Sequence, residues 1–210
     1  MMHKFTSTRR FQASALALAL AATVCFGSLV SADNRFTDVP ESAYFYEPIL
    51  WAVESGITSG TSATKFSPYE GCTRGQVVTF LWRAAGCPEP ESSYNPSNAY
   101  YHDAVLWEAE ESITTGTSRT RFEPNATVTR AQTVTFLWRW AGSPESGSAG
   151  SFRDVPYRAY YADAVAWAVE YGITNGTAPG LFSPAQTCTR AQIVTFLYRD
   201  LAAEWEDYET

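Results

Sequence analysis

One pattern recurs three times along this chain of 210 residues, and it limits the fold more than any other feature. The third copy runs Phe152-Arg153-Asp154-Val155-Pro156, Tyr160-Tyr161, Trp167, Gly172-Ile173-Thr174, Gly176-Thr177, Phe182, Pro184 and Thr189-Arg190-Ala191-Gln192. Shifted back by 116 positions it becomes Phe36-Thr37-Asp38-Val39-Pro40, Tyr44-Phe45, Trp51, Gly56-Ile57-Thr58, Gly60-Thr61, Phe66, Pro68 and Thr73-Arg74-Gly75-Gln76. Shifted back by 60 it gives Tyr100-Tyr101, Trp107, Ile113-Thr114, Gly116-Thr117, Phe122, Pro124 and Thr129-Arg130-Ala131-Gln132. The tryptophan and the arginine stand 23 residues apart in every copy. Such register marks an array of supersecondary units that bury their apolar faces on one another. Pro-, Gly- and Ser-rich breaks at 86–93 and 141–151 separate the copies.

Each copy reads as helix, loop, helix. The first helix extends from the aromatic pair to just before Gly56, Ser112 or Gly172, where glycine accepts the left-handed turn that ends a helix and serine accepts it less readily. Pro48 falls in a first turn, where a missing amide hydrogen costs little. The second helix opens on Thr73, Thr129 or Thr189 with glutamine three residues on, the pattern of a capping box. In the first copy Val77, Phe80, Leu81 and Ala84 follow helical spacing, and Val78 and Trp82 widen the stripe. A helix so broadly apolar must be packed on several sides, and a unit of under about 60 residues cannot supply that alone. The expectation is an all-α protein with the three second helices near a common axis in a closed, pseudo-threefold arrangement.

Residues 1–32 are set apart by Lys4, Arg9 and Arg10, an apolar run from Ala13 to about Val30, and small residues at Val30-Ser31-Ala32. This is the form of a secretory signal peptide cut before Asp33; a membrane-spanning anchor is the alternative. Three of the 15 basic residues lie in this leader, so the remainder holds 12 Lys and Arg against 22 Asp and Glu, a net charge of −10. That balance argues against nucleic acid, and against a membrane surface after signal cleavage, as general partners. Cys72, Cys87 and Cys188 remain, an odd number that closes no disulfide framework. Cys72 and Cys188 match Val128 in register and read as small buried hydrophobes. His3 and His102 make no histidine-rich metal site, and no cofactor motif is present.

The candidate ligand groups repeat with the units. Arg74, Arg130 and Arg190 sit in the first turn of each second helix, where unpaired amide hydrogens and the helix dipole favour an anion and a guanidinium fork suits a carboxylate. The competing reading is a structural ion pair with Asp38 or Asp154, or with Glu54, Glu110 or Glu170. At an open helix start, Arg190 is expected to be replaceable with little loss of folding. Trp51, Trp107 and Trp167 are either core residues or walls for a sugar ring, and the aromatic pairs carry the same ambiguity.

The recurring Phe-x-Asp-Val-Pro, Trp-Ala-Val-Glu, Gly-Ile-Thr, Phe-x-Pro and Thr-Arg-Ala-Gln segments resemble the S-layer homology family over about residues 36–87, 92–142 and 152–200. The resemblance implies a helical spindle of three repeats, here 33–88, 89–145 with a degenerate start, and 146–200, followed by an acidic tail at 201–210. It also implies inter-repeat grooves that bind secondary cell-wall polysaccharide or another peptidoglycan-linked glycan, often through a pyruvate-ketal-bearing sugar, with Arg74, Arg130 and Arg190 on the acidic group. Asp38 and Asp154, from the opening motif, join Trp51, Trp107 and Trp167 as candidate groove residues. The chain departs from the family pattern in three ways. Gln76, Gln132 and Gln192 replace the motif glutamate; Gly75 replaces alanine; and Ser92 and Tyr94 stand where the second unit would have phenylalanine and aspartate. Fewer than three equal sites are therefore expected.

The leading expectation is a secreted, non-catalytic anchor at the cell wall or S-layer. The alternative is a structural surface protein that assembles with other wall proteins and binds no sugar. An enzyme is disfavoured, because the acidic residues repeat with the scaffold and none is singled out as an acid–base pair.

Overall fold

The computed structural model describes residues 34–92, 98–118, 120–148 and 152–202. The expected leader, Tyr94 and all but the first two residues of the expected tail lie outside them. Six α-helices occur among the described residues: α1 Tyr46–Glu54, α2 Arg74–Ala84, α3 His102–Glu110, α4 Arg130–Trp140, α5 Ala162–Glu170 and α6 Arg190–Leu201. They fall two to a unit, and among the described residues only isolated bridges, with no β-strand, accompany them.

The first helices start directly after Phe45, Tyr101 and Tyr161 without a side-chain cap. Glu47, Asp103 and Asp163 in their first turns complement the helix dipole instead. They stop at Gly56 (φ 72°), Ser112 (φ 60°) and Gly172 (φ 69°). Ser112 thus takes the same left-handed turn as the glycines, at a cost of about 1 kcal/mol. All three second helices carry the full capping box: the Thr73 hydroxyl accepts the Gln76 amide and the Gln76 side chain accepts the Thr73 amide, with Thr129–Gln132 and Thr189–Gln192 alike.

The units close on one another in a ring. α2 packs on α3, α4 packs on α5, and α6 returns to pack on α1. Each second helix therefore lies against the first helix of the next unit, and the third unit meets the first. At the centre, the Cys72 amide donates to the Cys188 carbonyl at 3.0 Å, Cys188 to Val128 at 2.9 Å, and Val128 to Cys72 at 3.0 Å. Cys72, Val128 and Cys188 are fully buried, as their register implied, and burial pushes both thiols up to about 12. Five consecutive residues of α2, Val77 to Leu81, are buried, which is more than one face. Thr79, inside that run, satisfies its hydroxyl on the Gly75 carbonyl at 2.7 Å.

Candidate ligand grooves between the units

The ring places each candidate arginine at a junction. Arg74 donates from Nε to the Phe122 carbonyl at 2.8 Å and from Nη2 to the Thr114 hydroxyl at 3.2 Å. Arg130 does the same to Phe182 at 2.9 Å and Thr174 at 3.4 Å, and Arg190 to Phe66 at 2.9 Å and Thr58 at 3.4 Å. Each guanidinium also lies against two phenylalanine rings of the next unit, at 4.7 and 5.5 Å for Arg74, 4.8 and 5.4 Å for Arg130, and 4.7 and 5.6 Å for Arg190. The three arginines are 2–3 % exposed. They are therefore struts of the ring, and the expectation that Arg190 stands free at a helix start is corrected.

A second correction concerns the helix starts themselves. The Arg74 and Gly75 amides donate to Ala126 and Pro124 of the second unit. Those of Arg130 and Ala131 donate to Gln186 and Pro184 of the third, and those of Arg190 and Ala191 to Glu70 and Pro68 of the first. With the capping boxes, the first-turn amides are already paired, so the dipole-and-amide anion site is consumed by the ring. What remains for a ligand is the guanidinium charge. Among the described residues no carboxylate lies within 4.0 Å of any of the three arginines; their acceptors are neutral carbonyls and hydroxyls.

Four of the five acids named as ion-pair partners, Asp38, Asp154, Glu110 and Glu170, have other work. The Asp38 carboxylate accepts the Phe66 and Ser67 amides, both at 2.9 Å, and Asp154 accepts Phe182 at 2.9 Å and Ser183 at 2.7 Å. Partial burial pushes these carboxyls up, but the amides outweigh it and hold both below the usual range. Both therefore fix the loop whose carbonyl the arginine uses. Glu110 accepts the Glu91 and Ser92 amides at 2.8 Å each, and Glu170 the Gly147 amide at 3.2 Å, fastening linkers.

The tryptophans do not form an equal set. Trp167 is 0 % exposed and Trp107 is 8 %, which leaves no face for a sugar and corrects their assignment as groove walls. The cause is the ring, since the middle of each first helix faces the second helix of the preceding unit. Trp51 is half-buried and meets Tyr198 of α6 edge-on at 5.6 Å.

A cavity of about 230 Å³ opens beside Arg130, room for about one sugar residue. Tyr44 from the first unit, Arg130 from the second, and Asn175, Gly176, Gln192 and Arg199 from the third line it. Tyr44 is 61 % exposed and is held edge-on against Phe45 at 5.1 Å. The Arg199 Nη1 donates to the Ile173 carbonyl at 3.1 Å, and Arg83 and Arg139 repeat that bond to Ile57 at 3.3 Å and Ile113 at 3.2 Å. This second arginine was missed in the sequence. Its signal is the Phe-Leu-Trp-Arg or Phe-Leu-Tyr-Arg ending that follows each Thr-Arg, nine residues after the first arginine. Gly176 is needed at the rim: at φ 86°, a Cβ there would stand 2.3 Å from the Leu181 carbonyl.

A sequence model of the S-layer homology domain matches residues 35–78, 94–134 and 151–194, more than half of the chain. The chain is 23% identical over 202 residues to an S-layer protein of Bacillus thuringiensis subsp. finitimus, covering 93% of this chain and 25% of that protein. It is 29% identical over 169 residues to an endoglucanase of Bacillus sp. (strain KSM-635), covering 75% and 18%. It is 26% identical over 184 residues to a surface-layer 125 kDa protein of Lysinibacillus sphaericus, covering 85% and 15%. The chain thus spans a quarter or less of the length of these relatives.

Proposed function

The chain belongs to the S-layer homology family, and we propose that it is a cell-surface anchoring module whose inter-unit grooves take an acidic cell-wall glycan. The observation that carries this reading is Arg130. Its guanidinium is buried, has no carboxylate within 4.0 Å among the described residues, and lines a cavity shared by all three units. A buried charge without a counter-charge is costly, and a ligand carboxylate beside Arg130 and Arg199 supplies one through charge-assisted bonds. A pyruvate ketal on a sugar is such a group, small enough for the cavity. Tyr44 at the mouth offers a ring face for the sugar itself.

The relatives favour anchoring over catalysis. An S-layer protein and an endoglucanase differ in what their names say they do, yet both match this same region over most of its length. The shared part is better suited to holding a protein at the surface than to a reaction. No helix among the described residues is long and apolar enough to cross a membrane.

The test is sedimentation of the secreted chain with purified cell walls, before and after acid removes the secondary polysaccharide. Binding lost on stripping supports the glycan reading. Binding that survives points to peptidoglycan or a wall protein, and no binding in either case sinks the anchor.

A further inference from the structure

The second unit lacks the Phe-x-Asp opening of the other two, yet it keeps the loop that receives it. In the first unit the Thr37 amide donates to the Thr64 carbonyl at 3.0 Å, and the Asp38 carboxylate accepts the Phe66 and Ser67 amides. The Phe36 ring meets Phe66 edge-on at 5.7 Å. The third unit repeats each contact: Arg153 donates to Gly180 at 3.1 Å, Asp154 accepts Phe182 and Ser183, and the Phe152 and Phe182 rings stand 5.9 Å apart. The second unit has Ser92 and Tyr94 at the places of phenylalanine and aspartate. Ser92 is engaged elsewhere, with its amide and hydroxyl on Glu110 at 2.8 and 2.6 Å.

The receiving loop is formed all the same. The Thr117 amide donates to the Arg121 carbonyl at 2.8 Å, as Thr61 does to Lys65 at 2.9 Å and Thr177 to Leu181 at 2.8 Å. Glu123 has φ 57°, beside 58° at Ser67 and 59° at Ser183. Among the described residues, however, the Thr120 carbonyl and the Phe122 and Glu123 amides make no hydrogen bond. Phe122 is half-buried where Phe66 and Phe182 are 0 % exposed. A Cβ on Gly60 or Gly176 would meet the Phe36 or Phe152 ring at 2.6 or 2.7 Å, whereas at Gly116 the three nearest atoms, out to 3.4 Å, are all backbone of the loop.

These groups ask for a particular occupant. Two successive amides at a positive-φ turn suit a carboxylate. The carbonyl two residues earlier takes a backbone amide, and the ring takes an aromatic cover, the pairing by which a sheet-like edge binds an extended peptide. An aromatic residue two positions before an aspartate occurs at Tyr101, Tyr161 and Tyr198, all at or within helices, and at Trp205-Glu206-Asp207 beyond the last helix. Charge agrees with the last of these. Residues 204–210 hold four acidic residues and no basic one, and the loop reads Ser118-Arg119-Thr120-Arg121 where the other units have Ser62-Ala63-Thr64-Lys65 and Ala178-Pro179-Gly180-Leu181.

Reach decides which copy supplies the segment. Bridges Thr73–Thr127, Thr129–Thr187 and Gly71–Thr189 bring the starts of the three second helices together. The Phe122 loop sits at that end, on Arg74. α6 runs 12 residues away from it, about 18 Å, and residues 202–205 can return at most about 14 Å. We infer that the Thr120 carbonyl, the Phe122 and Glu123 amides and the Phe122 ring dock the Trp205-Glu206-Asp207 segment of a second copy of this chain. The donor and acceptor surfaces differ, so the contact is head-to-tail and can extend from copy to copy. The loop holds its shape without the segment, so docking costs little ordering there. Glu123, serine in both other units, opposes the aspartate, but it is exposed and its charge is screened. The contact needs no sugar in the grooves.

The test is sedimentation velocity of the secreted chain over a concentration series, with NMR of the same samples. The wild type associates as concentration rises, and the Phe122 and Glu123 amide signals move with it while those of Phe66, Ser67, Phe182 and Ser183 stay in place. Asp207→Asn and Trp205→Ala lie beyond α6 and leave the fold intact; Asp207→Asn weakens association at least about tenfold, through the loss of charge-assisted bonds. A synthetic peptide of residues 201–210, added to the Asp207→Asn protein, moves the same two amides, and the peptide with asparagine at 207 does so at least about tenfold more weakly. A wild type that stays monomeric up to about 1 mM, or that associates equally well in both variants, overturns the inference. So do Phe122 and Glu123 amides that exchange as slowly as those of Phe66 and Ser67 at every concentration, since the chain would then fill the site by itself.

Discussion

Arg190 donates its Nε–H to the carbonyl of Phe66 at 2.9 Å, tying together residues 124 positions apart. This bond closes the ring, since it joins the last helix to the loop of the first unit. The arginine we propose as a ligand contact is thereby a structural strut, so on that proposal binding and stability rest on one side chain.

Arg190→Ala therefore lowers stability as well as binding. It removes two hydrogen bonds from a charged donor and a cation over two rings, worth roughly 2–3 kcal/mol together. For a ring of this size that is about 5–10 °C in melting temperature. Circular dichroism melts of wild type and variant measure it. A superimposable melt would mean that the Phe66 and Thr58 contacts contribute nothing.

The central thiols are protected by the same closure. Cys72 and Cys188 are fully buried with pKa values pushed to about 12, whereas Cys87 is exposed. Since the thiolate is the reactive form, both central cysteines stay protonated at pH 8. In the protein from residue 33 onward, a thiol reagent at that pH labels one cysteine rapidly, and all three only in guanidinium. Fast labelling of two or three in buffer contradicts the closed centre.

Much of this was legible in the sequence because it is local or periodic. The capping boxes need only residues three apart, and the burial of Cys72 and Cys188 followed from their register with Val128. The role of the arginines was not legible. Their acceptors, Phe122, Phe182 and Phe66, lie 48, 52 and 124 residues away, and no spacing rule links them. Trp167 could not be told from a groove wall, because which side of a first helix meets the neighbouring unit is decided by ring closure. Glu108 was visible as a break in Trp-Ala-Val-Glu, but only the packing of α3 on α2 turns that break into a buried carboxyl whose pKa is raised by desolvation.

The loop glycines and Ser112 give opposite predictions from one conformation. Gly176→Ala places a Cβ 2.3 Å from the Leu181 carbonyl and 2.7 Å from the Phe152 ring at φ 86°. A backbone contact that close cannot relax cheaply, and the variant loses at least about 1–2 kcal/mol. Ser112→Gly relieves a serine at φ 60° at the same turn where Gly56 and Gly172 serve the other units. It gains about 0.5–1 kcal/mol. Urea unfolding of the two variants reads both signs, and a loss of stability in Ser112→Gly would count against strain at that turn.

Glu108 makes stability depend on pH in a direction opposite to most carboxylates. Its pKa in the folded chain is raised well above the ordinary 4.5, so between those two values the folded state holds a proton that the unfolded state has released. Stability then falls as pH rises through that window. Below 4.5 both states are protonated and the penalty disappears. Asp38 and Asp154 act the other way and lower down: their depressed pKa values add stability that is lost only as pH drops beneath the ordinary 3.8. Glu108→Gln deletes the first effect and keeps the second. The variant's stability relative to wild type must therefore increase as pH rises from 4.5 towards the raised pKa and level off above it. Urea denaturation of the pair at pH 4, 5.5, 7 and 8 measures the difference directly, with the two aspartates cancelling between them. A difference that stays flat from pH 4 to pH 8 would mean that Glu108 titrates normally and is not buried beside Arg74.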